Sequence, residues 1–418
     1  MQSTTIHVNT IVVPMSAAGA LQPLCPSLST MVGELHGRWV TASPPGRCPR
    51  EGQRSLDFRP RDCALRSMHA SSLRHGRLMM VGDSLIRYQG LALMAWLARV
   101  GHPFHCTNVS QPSLPVGRGG SAGVQALRQL LHADRYEGQP FDCQSGTMRI
   151  SIRRLNLLPP PQDLADYFDQ LFAPLSHRDT VVLNVGLWLG QLARARAFKV
   201  ALPGRAHRGT TAQAQRAAQS LFNASTDALA RIACQRGRRW PRLLWREHLP
   251  QHFPHGGEYR HGADSARCVP LEEVGARQQY RRMVMPVREA IARHRGSTPQ
   301  AGPSRRDRSS CPVGLRILPA FWPLVPRHSD HYQAGAGSSR RAADCTHFGW
   351  CSAAMRFLNQ LTLHALGSAA QGTAHHATAK LPANRGAAGT RNRAATMGRS
   401  RWGQKVRMGQ SSGASVTT

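Results

Sequence analysis

Two short stretches carry residue types suited to acyl chemistry. The first is LMMVGDSLIRYQG from Leu78, in which four large apolar residues run straight into Gly82, Asp83 and Ser84. The second is DCTHFGWC from Asp344, which sets a carboxylate three residues ahead of His347. A serine hydroxyl is a weak nucleophile until a base takes its proton. An imidazole does this best when a carboxylate fixes its tautomer and supports its positive charge. Both stretches also have plainer uses. Asp83 or Ser84 serves as the N-cap of a following helix, and in a chain with 20 histidines an Asp/His pair in a surface loop is common.

The elements around Ser84 decide between these uses. Consecutive apolar residues over Arg77–Val81 read as a strand buried on both faces, the usual state of a parallel strand covered by helices. Further strands are expected over Thr180–Val185, Leu243–Arg246 and Leu315–Leu318, and helices over Leu85–Val100, Thr211–Cys234 and Leu271–His294. Strands separated by helix-length segments need crossover connections. The expected fold is therefore α/β, a doubly wound, mostly parallel sheet with helices on both faces. Ligands bind such sheets beyond the carboxyl ends of the strands. Ser84 then lies at the functional edge, on the turn into a helix whose first N–H groups favour a developing negative charge, with Gly82 permitting the turn.

Composition narrows the field. The 418 residues, 41% of them apolar, are enough for one large or two ordinary domains. A net charge of +32 ordinarily points to nucleic acid, yet only Lys199, Lys380 and Lys405 are lysine. The excess is arginine accompanied by alanine and glycine, as a GC-rich coding bias produces. No nucleic-acid-binding module accompanies it, so no specific nucleic-acid partner is expected. The ten cysteines, from Cys25 to Cys351, include no C-x-x-C pair, and no His/Cys/carboxylate cluster has ligand spacing, so no metal is expected. Their even count permits disulfides, and N-x-S sequons at Asn108 and Asn223 fit a glycosylated secretory protein. No stretch reaches the roughly 18 apolar residues of a membrane span, and the first residues lack the basic region of a signal peptide. Residues 1–36 show little periodicity and are expected to be poorly structured. Residues 296–310 read as a polar insertion, and 367–418, without an acidic residue, as a disordered basic tail.

Four stretches in order resemble one family. GRLMMVGDSLIRYQ from Gly76, DTVVLNVGLWL from Asp179, LLWREHLPQHFPHGGEY from Leu243 and DCTHFGWC from Asp344 are similar to blocks of the trichome birefringence-like, or PC-esterase, proteins of the GDSL/SGNH hydrolase fold. GRWV from Gly37 and DFRPRDCAL from Asp57 look like that family's cysteine-containing N-terminal region. The resemblance implies a catalytic domain over 37–366 and a triad of Ser84 as nucleophile, His347 as general base then acid, and Asp344 as orienting carboxylate. The implied activity is polysaccharide O-acetyltransferase. Ser84 accepts an acetyl group, with no bound cofactor and acetyl-CoA as ultimate donor, and passes it to a hydroxyl of a cell-wall or other polysaccharide. A hydrolytic acetylesterase with the same triad, or an inactive carbohydrate-binding relative, are the alternatives. The implied location is the secretory pathway, specifically the Golgi.

The remaining site candidates follow from that chemistry. A tetrahedral oxyanion needs donors aimed at it, for which the Ser84 N–H, the Asn184 side chain and Arg87 are candidates; Asn184 would equally serve to bond a neighbouring loop. Arg246 and His252, just past a strand end, are candidates for binding substrate, with an arginine suited to a phosphate or a uronic carboxylate. A packed, structural His252 is the alternative. The chain also departs from the family pattern. Leu187 and Leu189 replace a usual histidine and tryptophan, Gly349 and Cys351 displace a cysteine, and the Arg327-to-Asp330 spacing is one residue longer.

Overall fold

The computed structural model describes residues 24–25, 35–41, 56–73, 76–110, 140–189, 211–254, 257, 267–295, 314–332 and 343–378. The chain divides into two units, Met1–His375 and His376–Thr418, and the sheet and the candidate site belong to the first. Strands β1 (Gly37–Thr41) and β2 (Leu56–Pro60) form an antiparallel pair. A seven-stranded sheet follows in the spatial order β4 (His105–Asn108), β5 (Phe141–Ser145), β6 (Met148–Arg154), β3 (Arg77–Gly82), β7 (Thr180–Asn184), β8 (Arg242–Arg246) and β9 (Arg316–Leu318). From β6 to β9 the strands are parallel, and β4 and β5 extend the sheet antiparallel. Strand β6 lies on one side of β3 and the later β7 on the other, so the order reverses at β3. That reversal makes the carboxyl end of β3 the topological switch point, where open α/β sheets bind ligands.

Both faces of the sheet are covered, which is what uninterrupted apolar strands encode. Helix α1 (Ser84–Arg99) covers one face. Leu78 and Met80 pack there with Ile150, Ile152, Val182 and Leu244. Met79 and Val81 turn the other way, joining Val181, Leu183, Leu243 and Trp245 beneath α2 (Leu164–Phe172), α3 (Thr211–Arg236), α4 (Glu273–Met283) and α5 (Met285–His294). The short α6 (Phe321–Leu324) touches both clusters, and α7 (Ala353–Thr378) packs beside α1. Each buried Leu or Ile of α1 contributes about 1.5–3 kcal/mol by leaving water. Leu85, Ile86, Leu93 and Leu97 are all at most 2% exposed, so this helix is firmly seated. Gly90 sets its distance from the sheet, since a Cβ there would lie 2.5 Å from Ile152 Cδ1.

The expected α/β sheet is the observed architecture, and the four predicted strands and the helices after β3 and before β8 lie within two residues of their expected ends. Other expectations need correction. The run Leu271–His294 is two helices, because Pro286 stands in the first turn of α5 and cannot donate the N–H that a continuous helix requires there. Helix α7 continues to Thr378, beyond Leu366, through a stretch rich in the good helix former alanine. Residues 379–418 and the polar insertion at 296–310 lie outside the described residues. Within the expected unstructured segment 1–36, Cys25 is buried and bonded to Cys63. Strands β4 to β6 and α2 were not expected. Cys106–Cys143 and Cys268–Cys345 are also disulfides, as the even count allowed. Among the described residues no helix is long and apolar enough to cross a membrane, and no His/Cys/Asp/Glu cluster could hold a metal ion.

Candidate active site

The exit from β3 explains how Ser84 is presented. Gly82 lies against β7, where a Cβ would sit 2.1 Å from the Asn184 carbonyl oxygen, so a larger residue would push the two parallel strands apart. Asp83 is extended, with φ −77° and ψ −167°, and its Oδ1 accepts the Leu85 N–H at 3.0 Å. Asp83 is therefore the N-cap. Ser84 is the first residue of the helix and keeps its hydroxyl for another partner. Burial raises the Asp83 carboxyl to about 6, against the opposing pull of the nearby Arg246 and His347.

That partner arrives on a different element. Strand β11 (Asp344–Phe348) pairs antiparallel with β10 (His331–Tyr332) and is held from several sides. The buried Cys345 is bonded to Cys268, and its carbonyl accepts the His252 N–H at 3.1 Å. Beyond the strand, Gly349 N–H donates to the Asp330 carbonyl at 2.8 Å. Asp330 is itself ion-paired with Arg327 and accepts the Ala354 N–H at 2.7 Å. The longer Arg327-to-Asp330 spacing thus closes one salt bridge, with the Arg327 guanidinium 4.7 Å from the Trp39 ring centroid.

On this anchored strand Asp344 Oδ1 accepts the backbone N–H groups of Thr346 at 3.3 Å and His347 at 3.2 Å. Its Oδ2 lies 2.8 Å from His347 Nδ1, and His347 Nε2 lies 2.7 Å from Ser84 Oγ. A carboxylate only accepts, so Nδ1 carries the proton and Nε2 presents its lone pair to the serine hydroxyl. Tyr88, one turn into α1, lies against the imidazole, with ring centroids 4.7 Å apart and 31° between planes. Ser84 and the distant pair His347 and Asp344 form one continuous chain of hydrogen bonds.

No protein-family model and no curated protein matches this chain. The chemistry of the site therefore rests on its own geometry. A cavity of about 380 Å³ opens beside Ser84, lined by Gly82, Asp83, Ser84, Arg87, Tyr88 and, from other elements, Arg153, Arg154, Asn156 and Trp188. Arg87 is where a donor toward a reacting oxygen was expected. Asn184 is not in this lining. It is fully buried, its Nδ2 donates to the Arg246 carbonyl at 3.0 Å, and its Oδ1 accepts from the Arg246 guanidinium. Asn184 bonds the end of the neighbouring strand β8, not a loop as expected, and its use is structural.

Burial decides two further candidates, against substrate binding by Arg246 and for the packed, structural alternative at His252. Arg246 is 0% exposed, and donates to Gln89 Oε1 at 3.1 Å as well as to Asn184. Burial lowers its guanidinium to about 10, and its charge faces Asp83 beneath the nucleophile rather than solvent. His252 is also 0% exposed, with Nδ1 2.7 Å from His331 Nε2 and Nε2 2.8 Å from the Val325 carbonyl oxygen. Neither side chain can meet a substrate without unfolding its surroundings. Arg246 instead holds Asn184 and Gln89 together, and His252 ties His331 to the Val325 carbonyl.

Of the residues that line the cavity, Arg153 and Arg154 were missed for a local reason. MRISIRR alternates polar and apolar residues and does not advertise a buried parallel strand, yet it forms β6 directly beside β3. Its register pairs Arg153 with Val81 and Arg154 with Gly82, so the arginines arrive at the same sheet edge as Ser84. Leu155 N–H then donates to the Gly82 carbonyl at 2.8 Å, extending the pairing to the rim of the site. Trp188 follows Gly186, whose φ of 129° is open to glycine and turns the chain sharply after β7.

Proposed function

We propose that the protein is a serine acyltransferase of the SGNH type that moves an acetyl group to a polysaccharide hydroxyl. The observation that carries the proposal is the Ser84–His347–Asp344 chain, with contacts of 2.7 and 2.8 Å at the switch point of the sheet. Two further features support it. The nucleophile sits at the N-terminus of a sixteen-residue helix, whose first N–H groups and dipole favour an oxyanion. The four stretches that resemble trichome birefringence-like proteins include all three residues of that chain and the loop bearing Trp188.

The reaction runs in two balanced halves. Ser84 Oγ attacks the carbonyl carbon of an acetyl thioester such as acetyl-CoA, and its proton passes to His347 Nε2. The tetrahedral oxyanion collapses, the C–S bond breaks, and His347 gives its proton to the departing sulfur, which leaves as a thiol and restores the neutral imidazole. An acceptor hydroxyl then gives its proton to His347 and attacks the acetyl-serine. Collapse forms the sugar ester and returns the proton to Ser84 Oγ. The Ser84 N–H, Arg87 and the cavity amide Asn156 are the proposed oxyanion donors, each typically worth about 10²–10³ in rate. Disulfides form in oxidising compartments, which supports passage through the secretory route, with the Golgi as the proposed site of action.

The test is incubation of the purified protein with labelled acetyl donor, with and without xylan oligosaccharides. Label recovered in sugar, and lost in Ser84→Ala, supports the transferase. Free acetate alone, again lost in Ser84→Ala, makes the protein an acetylesterase. Activity that survives Ser84→Ala overturns both.

A further inference from the structure

We infer that Asn108 carries an N-linked glycan, that Asn223 does not, and that the glycan covers the open edge of the sheet. The inference rests on the passage through the secretory route proposed above and is independent of the acyl chemistry. Both asparagines head an N-x-S sequence, Asn108-Val109-Ser110 and Asn223-Ala224-Ser225, the acceptor pattern of a secreted surface. What separates them is the direction of the serine. A glycan-transferring enzyme must engage the asparagine amide and the serine hydroxyl together, so both must be presented on one side of the chain. Asn108 ends β4, and the Val109 N–H donates to the Pro140 carbonyl at 2.9 Å, which carries the strand pairing on past Asn108. Residues two apart in an extended chain share a face. Accordingly Asn108 and Ser110 are both exposed, with Val109 part-buried between them. In a helix, residues two apart are turned by about 200° around the axis, and Asn223 lies in the middle of α3. Asn223 is exposed, whereas Ser225 is 1% exposed and its Oγ donates to the Pro159 carbonyl at 2.9 Å. The Asn223 side chain is engaged along the helix as well, its Oδ1 accepting from Gln219 Nε2 at 2.9 Å. Ser225 is thus a packing residue, which accounts for the second sequence without a glycan.

The order of synthesis favours the same choice. Helix α3 has 26 residues and much alanine, well beyond the roughly 12–15 residues below which an isolated helix is marginal. Such a helix forms in about 0.1–1 μs, against synthesis at about 5–20 residues per second. Asn223 and Ser225 are therefore turned apart almost as soon as they emerge. Strand β4 instead waits for β5, whose Phe141 pairs with Asn108 and is made later, so the first acceptor stays an open chain. In the transfer, Asn108 Nδ2 bonds to the anomeric carbon of an oligosaccharide carried on a lipid diphosphate. The anomeric C–O bond breaks, the lipid diphosphate leaves with its electron pair, and the amide proton passes to solvent. The position gives the glycan a use. Among the described residues β4 is the edge strand of the seven-stranded sheet, and its four residues, HCTN, are all exposed and include no Lys, Arg or Pro. Such an edge is a template for pairing with another chain unless something blocks it, and a bulky, solubilising glycan does so.

The experiment expresses the full chain behind a cleavable secretion signal in a eukaryotic host, so that entry into the oxidising compartment is supplied rather than tested. The secreted protein and its Asn108→Gln, Ser110→Ala and Asn223→Gln variants are treated with peptide-N-glycosidase, which converts a glycosylated asparagine to aspartate, and mapped by mass spectrometry. The wild type and Asn223→Gln should each lose one glycan, with the conversion at position 108 alone. Asn108→Gln and Ser110→Ala should lose none. A glycan on Asn223, or none on Asn108, overturns the assignment, and the map of the wild type decides this even where a variant fails to fold. After deglycosylation the protein should associate as its concentration is raised, while the glycosylated form keeps one size by light scattering. Equal behaviour of the two forms overturns the shielding of the edge. Protein from its own cells that lacks the glycan, when the secretory host adds one to Asn108, removes the secretory reading and the native glycan with it, and leaves the acceptor geometry standing.

Discussion

Asp344→Asn should lower the acyl-transfer rate by about 10⁴, and the structure gives the reason. Asp344 Oδ1 already accepts two backbone N–H groups, from Thr346 and His347. The amide that replaces the carboxylate must keep its oxygen in that position, because turning its NH₂ there would set donor against donor twice. The NH₂ is then forced into the place of Oδ2, 2.8 Å from His347 Nδ1. Nδ1 also lies 3.0 Å from Oδ1, but that oxygen is already shared by two backbone N–H groups, so the nearer NH₂ favours the tautomer with the hydrogen on Nε2. Nε2 is the atom 2.7 Å from Ser84 Oγ, so the base presents a hydrogen where its lone pair is needed. Serine hydrolases with the wrong imidazole tautomer lose about 10⁴ in turnover, or about 5 kcal/mol of transition-state stabilisation. The Asp344 side chain is 22% exposed and the swap is isosteric, so folding stability should change by no more than about 1 kcal/mol. The assay is single-turnover acetylation of Ser84 followed by mass spectrometry, with urea denaturation alongside. A variant that acylates within tenfold of wild type, with unchanged stability, would refute the tautomer argument and with it the role of Asp344.

Three further outcomes are expected. Glu247 is buried, accepts the Ala320 N–H at 2.9 Å and the Phe321 N–H at 3.0 Å, and is ion-paired with Arg288; burial raises its carboxyl against that cation. Glu247→Ala should cost about 3–5 kcal/mol in urea melts by stranding the arginine, and Glu247→Gln, which keeps an accepting oxygen, should cost clearly less. Burial also holds three histidines neutral, lowering His248 and His331 to about 3 and His252 to about 4. A histidine depressed in the folded state stabilises it above the unfolded value near 6.5 and loses that contribution as pH falls toward the folded value. Stability should therefore decline between about pH 6.5 and 4, by up to about 1.4 kcal/mol per pH unit per histidine, and His252→Phe should flatten that decline. Finally, Cys268→Ser with Cys345→Ser opens a cross-link spanning 77 residues, and should lower the melting free energy by about 2–4 kcal/mol. Because Cys345 adjoins Asp344, activity should fall as well, and a double variant as active and as stable as wild type would remove the disulfide from the account of how β11 is held.

The sequence made the placement of Ser84 legible because two independent signals coincide there. Four apolar residues in a row encode a strand covered on both faces, and Gly-Asp-Ser at its end encodes a tight exit with a cap. His347 and Asp344 were legible as chemistry, but their approach to Ser84 was not, since it depends on the Cys268 link, the Asp330 contacts and the β10–β11 pairing, none of which has a local signature. Arg246 and His252 show the opposite failure. Their position just past a strand end marked them for substrate, but a strand end at the switch point must also be braced from below. In this chain the bracing uses the polar residues Asn184, Gln89 and Arg246 as a hydrogen-bonded platform.

That platform explains why so much charge is buried where a purely structural core would be apolar. Asp83 must cap α1 with a carboxylate, and it does so while fully buried, at a desolvation cost visible in its raised affinity for a proton. Arg246 supplies the compensating charge from directly below, and Asn184 and Gln89 hold its guanidinium. The result is that the helix bearing Ser84 is capped by a buried carboxylate with the Arg246 charge nearby, rather than held by contacts on the open side. The open side is thereby left to Arg87, Arg154, Asn156 and Trp188, residues whose positions are set by β6, by α1 and by the turn after β7. Asn184, Gln89 and Arg246, which brace Ser84 from beneath, are not among the residues that line the cavity. A substitution at Trp188 should therefore leave intact the hydrogen bonds among Asn184, Gln89 and Arg246 beneath Ser84.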